Sequence, residues 1–206
     1  MKSKRHKRKL LFVYLMMGIM LVHPIVASAS NVWAIPRKAN GYIWNSVPLT
    51  INFNFEEGTN EQKTAVRSAM NMWNAVEPAN SRVDSLITLK LTVIESDNKI
   101  KFVDMGYWQY GGYTDFRTIA GSTTIAESVD VWLSLHCNWG READMQTIAG
   151  HELGHVLGVA HCHEIDENTC FSSTCGNNLM QPEFSTYIEI HSLTAYDESS
   201  YQIIYY

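Results

Sequence analysis

The eleven residues HELGHVLGVAH, His151 to His161, constrain this chain more than any other stretch. His151 and His155 stand four apart, and four steps of about 100° along an α-helix return to nearly the same face. Two imidazoles can therefore point at one spot, with Glu152 one step round. Met145, Ile148, Ala149, Leu153, Val156 and Leu157 recur at spacings of three and four, which predicts an amphipathic helix. Gly158 offers the left-handed position that ends such a helix and turns the chain, letting His161 come back toward the other two histidines.

A core helix with incidental histidines is the plainer alternative, because five-residue patterns arise by chance. The third histidine, at a spacing that a glycine stop explains, weighs against it. Three protein ligands plus a water make the open, catalytic form of a zinc site, whereas structural zinc is closed by four. In H-E-x-x-H the two histidines bind the metal and the glutamate, Glu152 here, is the general base. His163 lies two past His161 and is a rival third ligand, but the spacing from Gly158 favours His161. His136 and His191 stand in no motif and read as surface residues.

The N-terminus sets the compartment. MKSKRHKRK carries Lys2, Lys4, Arg5, Lys7, Arg8 and Lys9 and no acid. The apolar run Leu10 to Val22 follows, then Ala27-Ser28-Ala29, the three parts of a secretory signal peptide. Residues 1–29 are thus expected to be removed and the protein to be secreted, with no membrane attachment afterwards; an uncleaved anchor is the alternative. Removal takes away six of 16 bases and none of 21 acids, leaving ten against 21 and a net charge of −11. So acidic a chain repels nucleic acid and anionic lipid. The remaining residues suit one domain, expected to be monomeric.

Cys137, Cys162, Cys170 and Cys175 all survive processing. An even count in an exported chain favours two disulfides, of which three connectivities are possible. A second zinc bound by four thiolates is the competitor, without a C-x-x-C pair to support it.

Residues 30–48 read as an irregular N-terminal arm or a short prosegment, and 49–206 as the folded domain. Leu49–Phe55 alternates as a strand. EQKTAVRSAMNMWNAV is helical, with Asn60 as its expected cap, and its Met and Trp residues face a core. Leu86–Ser96 reads as a strand, IKFVDMG as a shorter one, and YWQYGGYTDFRTIAG as a surface loop feeding a strand. Ser122–Leu135 holds one or two strands with a break near Glu127 and Ser128. SLTAYDESSYQIIYY reads as a terminal helix with a cap-like Ser192. The expected class is α+β: a twisted mixed sheet with an active-site helix, a backing helix and a C-terminal helix.

HELGHVLGVAH matches H-E-x-x-H-x-x-G-x-x-H, so the chain resembles the metzincin zinc proteases. Those enzymes carry a methionine-containing turn beneath the metal, and NNLMQPEF, Asn177 to Phe184, offers Met180. Pro182 and Phe184 look like the matrixin branch, where that segment lines the specificity pocket. Trp139 and the terminal helix look similar to a matrixin catalytic domain. The resemblance implies one catalytic Zn2+ on His151, His155 and His161, hydrolysis of a peptide or protein substrate, and a substrate strand laid along an edge near Gly121–Ala126. The matrixin latency cysteine has no counterpart before Cys137. The family's loop for a second zinc and calcium is also not found; Asp97, Asp104, Asp115 and Asp130 are scattered oxygen donors for calcium without a motif. A binding protein that keeps zinc but cleaves nothing is the alternative function, and an intact Glu152 speaks for the enzyme.

Overall fold

The computed structural model describes residues 41–47, 49–77, 87–105, 111–135, 144–161, 178–180 and 189–205, except the side chains of Tyr196 and Ile203. All of them lie in one compact unit, Ala34–Tyr206. The signal segment, Trp139, Pro182, Phe184, all four cysteines, His136 and His163 fall outside the described residues.

Among the described residues six strands form one mixed sheet: β1 (Ile43–Trp44), β2 (Leu49–Glu56), β3 (Ile87–Leu91), β4 (Asn98–Val103), β5 (Gly112–Thr118) and β6 (Ile125–Ser134). β3, β2, β4 and β6 are parallel neighbours, and β1 pairs in parallel with the start of β6. β5 is antiparallel to β6 and, among the described residues, pairs with nothing else. The helices are α1 (Asn60–Asn74), α2 (Met145–Val156) and α3 (Ala195–Ile204).

Register decides which side chains meet the helices. Ile100, Phe102, Val131 and Leu133 share one face through the β4–β6 pairing, and Gly112, Thr114 and Phe116 join it opposite Leu133, Val131 and Val129. A one-residue slip would turn each of these outward, so the buried Val129, Val131 and Leu133 fix the register of β5. The opposite face is charged. There Lys101 lies 4.5 Å from the Trp132 ring centroid and 3.0 Å from Asp130, which also accepts from Arg117.

Several local expectations are corrected. α1 is capped by Thr59, not Asn60: Thr59 and Gln62 form a reciprocal capping box, which satisfies two amide donors that Asn60 leaves open. Thr194, not Ser192, caps α3, paired in the same way with Asp197. The strand from Leu86 stops at Leu91, because Asn54 and Ser96 hold residues 92–98 in a hydrogen-bonded turn. The expected break near Glu127 is a bulge within a continuous β6. Arg117 pairs with Ser128 and Thr118 with Ala126, so Glu127 is the extra residue. Gly121–Ala126 is not a sheet edge. It is a turn running into β6, and Ala126 is flanked by both Trp44 and Thr118. Among the described residues β5 is the edge strand on this side of the sheet, and β3 borders the other side.

α2 departs most from an amphipathic surface helix. Ten of its 12 residues are buried, Glu152 and His151 included. Gly150 and Gly154 make this possible on the side toward α1. Trp73 donates its indole N–H to the carbonyl of Gly150 at 2.8 Å, and a Cβ at Gly154 would lie 2.8 Å from the Trp73 ring.

Candidate metal centre

The stop of α2 builds the site. Asp144 caps its start, accepting from the Thr147 amide at 2.8 Å. At its end Gly158 takes φ +85°. The Gly158 amide returns to the His155 carbonyl at 2.8 Å and the Val159 amide to Gly154 at 3.0 Å, the paired bonds of a Schellman motif. That reversal sends the chain back alongside the helix, and His161 arrives at His151 and His155.

The three Nε2 atoms lie 3.0–3.1 Å from one another. His151 Nδ1 is 2.8 Å from the Leu179 carbonyl and His155 Nδ1 is 2.8 Å from that of Val159. A carbonyl only accepts, so each Nδ1 carries the proton and each neutral ring turns a lone pair inward at Nε2. Burial, together with the neighbouring imidazoles, keeps both rings neutral: His151 is pushed well below the ordinary value and His155 down to about 4. Converging lone pairs repel one another, and a cation at their centre removes that repulsion. Borderline-soft nitrogen donors of this kind suit zinc. The donor set fits the metal, and among the described residues it is the one group of three or more side chains so arranged.

Two further layers hold it. Leu179, whose carbonyl orients His151, and Met180 are fully buried, and a Cβ on Gly154 would overlap the Met180 sulfur. The amides of Leu179 and Met180 point at Asp197 of α3, 3.3 and 3.4 Å away. Asp197 also accepts from Thr194, so one carboxylate caps α3 and fixes the turn under the histidines. On the other side of α2, Glu152 lies against β5. Burial raises its carboxyl to about 7 against the hydrogen bond from Thr114, which lowers it.

Sequence reasoning named the three histidines, whose Nε2 atoms meet here, Met180, which lies against Gly154, and Glu152, which faces β5. It missed Thr114, Gly112 and Asp197. A Thr followed three residues later by Asp signals a helix cap, but nothing local signals that the same Asp serves a turn 17 residues upstream. His191 is half-exposed and 2.6 Å from Asp144. Asp130, a candidate calcium donor, is instead engaged by Lys101 and Arg117.

No protein-family model and no curated protein matches the sequence. Among solved structures, the chain is similar to high choriolytic enzyme 1, a hatching enzyme zinc-protease from Oryzias latipes (medaka fish). The identity is 14% and the TM-score 0.43, over 85% of this chain and 96% of that one. It is also similar to myroilysin, at 15% identity and TM-score 0.49, over 82% and 97% of the two chains.

Proposed function

We propose that this chain is a secreted zinc endopeptidase of the metzincin type, with matrixin-like features around Met180. The observation that carries it is the convergence of three histidine Nε2 atoms on one point, two of them left proton-free by carbonyls on their Nδ1 atoms, with a buried carboxylate on the residue after His151. Zinc bound there supplies a Lewis acid that makes water nucleophilic near neutral pH and polarises a peptide carbonyl. His151, His155 and His161 hold it; Leu179 and Val159 keep two of those rings aimed through their Nδ1–H groups. Glu152 accepts the proton of the attacking water and passes it to the leaving amine.

An extended peptide would add to the outer edge of β5, whose backbone has no sheet partner there among the described residues. Residues on the core face of β5 are already packed on α2, so the strand is rigid on one side and open on the other. Pro182 and Phe184 would line the pocket for the residue after the cut. The four cysteines would form two disulfides, and one zinc suffices for the chemistry.

Residues 30–206 and their Glu152→Ala variant, both prepared oxidised, test this. Zinc content and cleavage of a mixed peptide library are measured with and without a chelator. One zinc in each, with cleavage by the wild type alone and lost on chelation, is the expected result. One zinc in each with no cleavage by either overturns the enzyme and favours a zinc-keeping binding protein.

A further inference from the structure

β5 does more than border the site. Its core-facing residues alternate as Gly112, Thr114 and Phe116, and the first two meet Glu152 directly. Thr114 Oγ1 lies 2.7 Å from Glu152 Oε2 and 3.1 Å from the Glu152 main-chain carbonyl. A threonine hydroxyl has one proton, and both acceptors in reach belong to one residue. The shorter contact, to the carboxylate oxygen, is the charge-assisted one. Beside it, a Cβ on Gly112 would stand 2.5 Å from Glu152 Cγ and 2.7 Å from Oε1, so the missing side chain at 112 is the space the carboxylate occupies. Among the described residues Oε1 has no hydrogen-bond partner.

We propose that Thr114 is a positioning residue for the general base: it anchors Oε2 of Glu152 against β5 and leaves Oε1 as the oxygen that exchanges a proton with water. This rests on the peptidase function proposed above.

Physical chemistry favours an anchor here. A glutamate side chain has three rotatable bonds, and a base displaced by an ångström loses rate steeply. Threonine is stiff about χ1, and its backbone is locked in register opposite Val131. The hydroxyl therefore transmits the position of the whole sheet to one carboxylate oxygen. The proton accounting is simple: Oε1 takes a proton from water and releases it to the leaving amine, while the Thr114 O–H stays on Oε2 throughout. Glu152 is unchanged at the end of the cycle.

Two variants separate positioning from packing. Thr114→Val keeps the shape and deletes the hydroxyl; Thr114→Ser keeps the hydroxyl and deletes a methyl. On a peptide substrate, Thr114→Val is expected to lower kcat by roughly 10- to 100-fold with KM and zinc content unchanged, and Thr114→Ser to recover most of that loss. A kcat for Thr114→Val within about twofold of wild type overturns the proposal, as does a matching loss in Thr114→Ser, which would indicate packing.

A second readout needs no turnover. The carboxylate stretch of Glu152, isolated by infrared difference against Glu152→Gln, is expected to shift in Thr114→Val and to stay in place in Thr114→Ser, with and without zinc. An unshifted band overturns the anchor whatever the kinetics. A shifted band in a protein that binds zinc but cleaves nothing keeps the anchor and overturns the peptidase function instead.

Discussion

Trp44 donates its indole N–H to the carbonyl of Val156 across 2.8 Å and 112 positions of sequence. That carbonyl belongs to the last turn of α2, where no intrahelical donor remains. The same short strand pairs with Ile125 and Ala126, and Tyr42 stacks on Phe116 of β5 at 4.6 Å. Residues 42–44 therefore clasp α2 and β5 from one side. Within the segment expected to be an arm or a prosegment, residues 42–44 thus pack on the folded domain. Trp44→Phe should leave a buried acceptor unpaired and lower stability by about 1–3 kcal/mol, read as an earlier urea midpoint. A chain beginning at 41 should retain zinc, and one beginning at 49 should lose it on dialysis. Equal zinc retention by both would show the arm to be dispensable.

Gly154 lies on α2 against the Met180 sulfur and the Trp73 ring. Gly154→Ala forces one of two buried groups to move, at a cost of about 1–3 kcal/mol for overpacking. Zinc affinity should fall with it, since the displaced Met180 follows Leu179, whose carbonyl orients His151. Gly150→Ala is the measured comparison. Its methyl would meet the flexible end of Met72 at 2.9 Å, so its loss should be smaller. Competition with a calibrated chelator, beside thermal unfolding, ranks the pair; equal behaviour would contradict the assigned packing.

Asp130 gives a pH dependence away from the metal. Burial raises its carboxyl, but hydrogen bonds from Arg117 and Lys101 outweigh that and hold it below the ordinary carboxylate value. A depressed folded-state pKa contributes stability above the unfolded value, lost as pH falls through the folded one. Asp130→Asn should thus be less stable than wild type at pH 7, by roughly 1 kcal/mol for so partly exposed a cluster. The gap should close as pH falls below about 4. Urea titrations of both proteins at pH 7, 5 and 3 check this, and a gap that widens in acid would reverse the sign.

What the sequence disclosed follows the range of each interaction. The histidines, Glu152 and Gly158 are legible because a helix and its stop are local, with a fixed angular step between residues. β2 is legible because it alternates. Thr114 is not, since its role depends on β5 pairing with a strand that follows it and facing a helix later still. Nor did the pattern give away how deeply α2 is buried, because Gly150 and Gly154 read as neutral in a hydrophobic count yet admit the ring of Trp73. The misplaced edge had a similar cause. Gly121–Ala126 looks extended and polar, but whether a strand is an edge depends on its neighbours, and β1, only two residues long, fills that place.

The tie from Asp197 to Leu179 and Met180 has a consequence for biosynthesis. A chain is made from its N-terminus, and domains gain structure as they emerge. His151, His155 and His161 emerge well before Asp197, while the carbonyl that orients His151 waits on a turn that Asp197 holds. The metal-binding side chains are thus present early but not aligned until α3 arrives. The three-histidine geometry is therefore completed only near the end of synthesis, once α3 has been added.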